Sequence, residues 1–286
     1  MDFDAFVRDI RENRWNVFGA EVYEHGRLVH DFGDTRGAHE IYSVTKSVLS
    51  VAMGIAKDRG LIGFERPVAE YIPPEYLARM SPRQKETWGK ITLSRLMTMS
   101  VAGLPFRAEG SDWLAFSLAV PIPRPEEKVF HYSNISAYIA GVALTEAVGK
   151  DAGRLIEEEI LDPLGIDDYT LSGSPEGYFY GASGMKMSVH SLSTIGLMLL
   201  DGGRYRGKQI VSQEYIRTAA SALQMNREGG YGYFFWKYRD GFSMHGKFKQ
   251  RCYMLPKRGL VITYLSDMDD PSPALQESME KHLLDG

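Results

Sequence analysis

Residues 4–13 set Phe6, Val7 and Ile10 among charged side chains, the 3.6-residue rhythm of a short amphipathic helix. Trp15–Tyr23 then reads as a strand, Glu24-His25-Gly26-Arg27 as a turn, and Leu28–Phe32 as the returning strand. The apolar run Val48, Leu49, Val51, Ala52, Ile55 predicts a helix that begins at Ser43 and stops near Lys57–Gly60, with Gly60 at its C-terminal cap. From about residue 64 to 200 helical segments alternate with Pro and Gly, among them Thr92–Met99, Ile135–Val148, Gly153–Leu161 and Ser188–Leu200. Val120–Lys128, with Pro121, Pro123 and Pro125, predicts an extended loop. The last third changes character. Gly241–His245, Arg251–Leu255 and Leu260–Ser266 read as short strands, and Pro273–Leu284 as a closing helix.

Strands at both ends and helices between them predict an α+β fold. One antiparallel sheet is drawn from both termini, with helices on its faces and a helical insertion. The expected division is an α/β part of residues 1–63 and 176–286 and a helical part of 64–175, together one domain. No repeat or low-complexity segment interrupts it.

Composition narrows the partners. A net charge of −4, a pI near 6.0 and scattered basic residues give no footprint for nucleic acid. No run approaches the length of a membrane span. The single cysteine, Cys252, excludes an intramolecular disulfide. Acidic residues at Asp2, Asp4 and Asp9 stand where a signal peptide would carry positive charge, so the expected location is the cytoplasm. A chain trimmed of a leader would read the same. The seven histidines form no His-x-His or His-Glu-x-x-His set, so the expected chemistry uses no metal and no cofactor.

Three copies of Ser-x-x-Lys occur, at Ser43/Lys46, Ser183/Lys186 and Ser278/Lys281. The first stands immediately before the apolar run that begins at Val48. Residues three apart share a helix face, so Lys46 can reach the Ser43 hydroxyl. A serine needs a neighbouring base to become a nucleophile, and a lysine of lowered pKa can be that base. Tyr132-Ser133-Asn134, where the proline-rich loop meets a helix, supplies a phenol able to relay a proton and an amide able to hold a lysine or a carbonyl. For Asn134 taken alone, a helix cap is the favoured reading. Met244-His245-Gly246-Lys247-Phe248 lies on a C-terminal strand, where a small residue lets backbone N–H groups approach a ligand. One of these with the Ser43 N–H would make a two-donor oxyanion hole, and His245 would touch the substrate or polarise the site.

In this order the three motifs resemble the serine β-lactamase and penicillin-binding-protein superfamily, whose signatures are Ser-x-x-Lys, Ser-Asp-Asn and Lys-Thr-Gly. Tyr132-x-Asn134 is similar to the class C branch, which includes family VIII esterases, D-aminopeptidases and 6-aminohexanoate-dimer hydrolases. Ile91–Leu104 and Ala182–Gly203 also resemble family segments, so the likeness covers nearly the whole chain and gives Ser183 a structural role. It implies a β-lactamase/transpeptidase-like fold and a small-molecule ester, amide or β-lactam substrate. By resemblance Ser43 is the nucleophile, Lys46 the base, Tyr132 the residue that activates water for deacylation, and Asn134 their orienter. A non-catalytic or slowly deacylating penicillin-binding sensor is the alternative.

The third motif departs from the pattern. Met244-His245-Gly246 stands for Lys-Thr-Gly, and Gly246–Gln250 resembles the Gly-x-x-Gly-Gln of the 6-aminohexanoate-hydrolase branch with Lys249 in place of Gly. The second oxyanion N–H falls on Lys247 or Phe248, depending on the alignment. Lys247 is the expected source of the missing charge. Trp113, Phe130, Tyr180, Phe234–Trp236 and Phe248 are the candidate pocket walls. The sequence carries no sign of oligomeric state.

Overall fold

In the computed structural model, which describes residues 1–285, the chain is built around one six-stranded antiparallel sheet. Its strands are β1 (Val17–Glu24), β2 (Arg27–Gly33), β7 (Trp236–Tyr238), β8 (Gly241–Gly246), β9 (Gln250–Leu255) and β10 (Leu260–Ser266), in the order β2-β1-β10-β9-β8-β7. Between them in sequence come the short pairs β3 (His39–Glu40) with β4 (Lys186–Met187), and β5 (Arg204–Tyr205) with β6 (Lys208–Gln209). The predicted union of N- and C-terminal strands is therefore present. It is made where Ala20 faces Tyr264 and Val22 faces Ile262.

Every residue of β10 is buried, because helices cover both faces of the central strands. On one face α1 (Phe3–Glu12) presents Phe3, Phe6, Val7 and Ile10, a spacing that makes one apolar stripe, to Ile262 and Tyr264. The closing helix α12 (Ala274–Met279) adds Leu275 and Met279 to that layer, then widens into a π turn over Glu280–Leu284.

The other face receives α2 (Val44–Asp58) and α10 (Val189–Leu200). Gly196 lets α10 approach the sheet: a Cβ there would lie 2.7 Å from Cys252 Sγ. Helix α11 (Gln213–Ala219) seats the Tyr215 ring against Gly54 of α2.

Residues 64–175 carry α3 (Pro74–Arg79), α4 (Pro82–Lys90), α5 (Leu93–Met97), α6 (Trp113–Ala119), α7 (Asn134–Val148), α8 (Ala152–Ile156) and α9 (Asp162–Leu164). The expected helix Gly153–Leu161 is interrupted, since α8 passes into a π turn at Glu157–Leu161 that buries both Ile160 and Leu161. The proline-rich loop has almost no ladder of its own. The buried Arg95 guanidinium fastens it by donating to the carbonyls of Pro125, Ser100 and Glu127. That pins the approach to Tyr132.

Candidate active site

Tyr42 adopts φ +48°, a left-handed conformation costly for a bulky side chain, and so turns the chain sharply into α2. Ser43 is the N-cap of α2, yet its hydroxyl makes no capping bond. It is held instead by Lys46, whose Nζ lies 3.0 Å from Ser43 Oγ.

Lys46 is 1% exposed. Its other two partners are Asn134 Oδ1 at 2.7 Å and the Ala182 carbonyl at 2.6 Å. Neither is a carboxylate, so no counter-charge offsets the cost of burying an ammonium. Burial brings its pKa down to about 7, from 10.5 for an ordinary lysine. A neutral amine has two N–H donors and one lone pair. Two carbonyl oxygens take the donors, and the lone pair is left for the Ser43 hydroxyl.

Tyr132 places its ring 5.1 Å from Lys46 Nζ. Burial pushes its phenol up to about 12, with the Ser43 hydroxyl acting in the opposite sense. The lysine, not the phenol, is thus the group that is deprotonated near neutrality. Asn134 is not the helix cap: Ser133 accepts from the Ile135 N–H, which leaves the Asn134 amide free to face Lys46. Asn134 Nδ2 donates to the Tyr180 hydroxyl at 3.2 Å. The backbone of this segment is clamped to the preceding loop, where Ser133 Oγ donates to Pro105 O and the Asn134 N–H to Phe106 O.

Gly246 ends β8 against the chain leading to Ser43. A Cβ there would lie 2.3 Å from the Ile41 carbonyl, so only glycine fits without a shift. Lys247 and Phe248 follow in a tight turn, in which Phe248 has φ +58° and Lys249 φ +67°. Gln250, buried, anchors this turn to the Ser266 backbone. Phe248 meets the Tyr42 ring edge-on at 5.2 Å.

His245 hydrogen-bonds through Nε2 to Ser243 Oγ at 2.8 Å and stacks on Trp236. Burial, reinforced by the Arg251 charge, holds its pKa well below the ordinary imidazole value, so it is neutral. Arg251 faces His245 across the β8–β9 hairpin. It, rather than Lys247, puts a cation beside His245; Lys247 is exposed, with its Nζ over the Phe248 ring.

The other two Ser-x-x-Lys copies separate. Lys186 is exposed, with its Nζ 3.9 Å from a Glu40 oxygen, and Ser278 Oγ bonds Asp9. Ala182 and Arg251 were not read from the sequence as site residues. Hairpin register would have indicated Arg251, whereas nothing local marks the Ala182 carbonyl. Of the expected pocket walls, Phe234 and Phe235 are core, while Trp113 and Tyr180 flank the site.

A family model described as Beta-lactamase matches residues 4–284. The chain belongs to the beta-lactamase family. It is 29% identical over 230 residues to the D-alanyl-D-alanine-carboxypeptidase/endopeptidase AmpH of Escherichia coli K12, a match covering 70% of this chain and 58% of that relative's length. It is 21% identical over 298 residues to the 6-aminohexanoate-dimer hydrolase of Paenarthrobacter ureafaciens, covering 93% of this chain and 74% of that relative. Among solved structures, a class C β-lactamase from Rhodobacter sphaeroides superposes with a TM-score of 0.77 at 18% identity, covering 98% of each chain. Among the described residues of this beta-lactamase-family chain, no helix is long and apolar enough to cross a membrane.

Proposed function

We propose that the chain is a serine hydrolase that cleaves a small-molecule ester or amide bond, lactams included, through an acyl-enzyme on Ser43. The observation that carries this reading is Lys46: buried, within hydrogen-bond reach of Ser43 Oγ, its pKa near 7, with carbonyl oxygens on its other two sides.

As Ser43 Oγ bonds to the substrate carbonyl carbon, its proton passes to Lys46 Nζ. The developing oxyanion is held by the Ser43 N–H and by an N–H of the Lys247–Phe248 turn, a donor of this kind being worth about 3 kcal/mol. When the tetrahedral adduct collapses, the carbon–leaving-group bond breaks. The leaving group takes a proton from the Tyr132 hydroxyl, which is replenished from the Lys46 ammonium. A water then attacks the acyl carbon and returns a proton along the same path, and Ser43 leaves with its hydroxyl restored. With a pKa of about 12, Tyr132 acts here as a conduit rather than as a standing phenolate. Asn134 orients Lys46. The names of the two curated relatives support amides beside esters as the bond class.

A second reading, a penicillin-binding sensor that deacylates slowly or not at all, draws on the third motif, where Met244 is fully buried and offers no cation. Intact-mass analysis with a fluorophosphonate and with a penicillin, beside turnover of p-nitrophenyl esters, separates the readings. A fluorophosphonate adduct on Ser43 with ester turnover supports the hydrolase, and a penicillin adduct that persists without turnover supports the sensor. If Ser43→Ala retained full activity on an ester that the wild type cleaves, the assignment would be wrong.

A further inference from the structure

The turn that follows β8 is held through its carbonyl oxygens. Lys247 O accepts from the Gln250 N–H, which closes the turn. Ser266 Oγ donates to Phe248 O at 2.7 Å and reaches Lys249 O at 3.3 Å. The carbonyls at the two ends, those of Gly246 and Gln250, go to one side chain. Arg251 Nη1 donates to Gly246 O at 3.0 Å and to Gln250 O at 2.9 Å.

Strand register puts the arginine there. Gly246 pairs with Gln250 and His245 with Arg251, so Arg251 lies one position along β9 from the pair that closes the turn. Its side chain folds back over that pair and ties one strand end to the other. The turn needs such a tie. Phe248 at φ +58° and Lys249 at φ +67° are consecutive non-glycine residues in the left-handed region, a conformation that persists only where surrounding bonds over-determine the backbone.

The same contact has an electronic consequence. Gly246 C=O and Lys247 N–H belong to one trans peptide and point in opposite directions. A cation that donates to the carbonyl draws electron density from the amide nitrogen, which makes the N–H on the far side a stronger donor. No carboxylate pairs with Arg251 among the described residues, and its Nε–H is enclosed without a hydrogen-bond partner. Its charge is therefore not cancelled by an ion pair and falls on these two carbonyls. The Phe248 N–H belongs to the next peptide, whose carbonyl takes the neutral Gln250 N–H.

We infer that Arg251 is a positioning residue for the chemistry at Ser43. It fixes and polarises the Gly246–Lys247 peptide, so that the Lys247 N–H serves as the second oxyanion donor. It acts through that peptide and does not contact the substrate. The inference rests on Ser43 being the nucleophile.

The test measures kcat and KM for p-nitrophenyl butyrate in the wild type, Arg251→Met, Arg251→Gln and Arg251→Lys. Each rate is counted per Ser43 that a fluorophosphonate titrates to completion. Arg251→Met is expected to lower kcat about tenfold, less than the loss of about 10²–10³ for deleting a donor outright. KM should change by less than about twofold, as for a group that acts on the transition state. Arg251→Lys, which keeps the charge, should recover more of kcat than Arg251→Gln, which keeps a neutral donor. The rate of fluorophosphonate labelling should fall in step with kcat, because the phosphoryl oxygen occupies the same hole. Unchanged kcat per titrated Ser43 in Arg251→Met overturns the inference even if its melting temperature falls, since the loss is then only of folded enzyme. A KM that rises with kcat intact for mono-p-nitrophenyl glutarate also overturns it, by making Arg251 a direct contact of a substrate carboxylate. If Arg251→Met does not fold, Arg251→Lys and Arg251→Gln decide: a graded loss supports the inference, and equal rates overturn it. Where the wild type is labelled without turnover, the labelling rates are compared in the same way. A wild type that neither hydrolyses the ester nor is labelled at Ser43 overturns the Ser43 reading and this inference with it. Labelling of the wild type with undiminished variants overturns only the role of Arg251.

Discussion

Lys46 Nζ lies 2.7 Å from Asn134 Oδ1, and the same amide turns its nitrogen to the Tyr180 hydroxyl 3.2 Å away. Tyr180 thereby fixes which end of the amide faces the lysine. An acceptor held against an ammonium favours the protonated form, so Asn134 moderates the depression that burial imposes on Lys46. Removing the acceptor with Asn134→Leu should lower the acidic inflection of the kcat/KM profile below that of the wild type. Tyr180→Phe, which frees the amide to flip, should lower kcat several-fold and move the inflection the same way. Initial rates across pH with a p-nitrophenyl ester check both.

In the wild type the profile should rise with pH and level off above an inflection near 7, because the base is neutral Lys46 and its pKa is about 7. Tyr132, at about 12, contributes no falling limb in the accessible range. Lys46→Ala should lower kcat/KM by about 10²–10⁴-fold and abolish the inflection. A flat wild-type profile from pH 5 to 9 would contradict the assignment of Lys46 as base.

The same pKa makes a statement about stability. Lys46 titrates near 7 when folded and at 10.5 when unperturbed, so between those values the unfolded chain binds more protons. Folding stability must therefore rise with pH across that window, by up to about 1.4 kcal/mol per pH unit from this group. Below 7 the full cost of the buried ammonium is present. Urea unfolding of wild type and Lys46→Met at pH 7 and pH 9.5 should show the wild type gaining on the variant as pH rises.

Gly246→Ala would set a methyl group 2.3 Å from the Ile41 carbonyl, a backbone atom that cannot rotate away. The strand end must shift, at a cost of about 1–3 kcal/mol, and with it the N–H groups of Lys247 and Phe248. Thermal melts should show the destabilisation. The accompanying loss should appear in kcat more than in KM, as expected for donors that act on the oxyanion.

Lys249 occupies φ +67°, which costs an L-residue about 1–2 kcal/mol and glycine far less. Lys249→Gly should leave stability unchanged or raise it by up to about 1 kcal/mol, since the relief is partly offset by the greater freedom of an unfolded glycine. Lys249→Val should destabilise, because a β-branched side chain tolerates that conformation least. Denaturant midpoints of the two variants check this. The resemblance to a Gly-x-x-Gly-Gln turn thus survives in backbone shape where it fails in residue type.

Local pattern was enough for much of this protein. The stripe of Phe6, Val7 and Ile10, the apolar run after Ser43 and the three C-terminal strands appear where periodicity and turn residues put them, because those signals act over a few residues. The Ser43/Lys46 pairing was legible for the same reason: three residues on a helix is a local distance. The Val120–Lys128 loop was readable as a loop, but not the Arg95 guanidinium that holds it. Asn134 was ambiguous, since capping and site roles use the same amide, and only Ser133 taking the cap resolved it.

What the sequence by itself determined was the order of the motifs and the elements that carry them. The tertiary structure decided how completely the Ser43/Lys46 copy is enclosed, and so that its lysine loses its charge. A pKa of about 7 comes from desolvation, in a site closed over Lys46 by segments as far along the chain as Asn134 and Ala182. Burial depends on the whole fold, and no short motif encodes it.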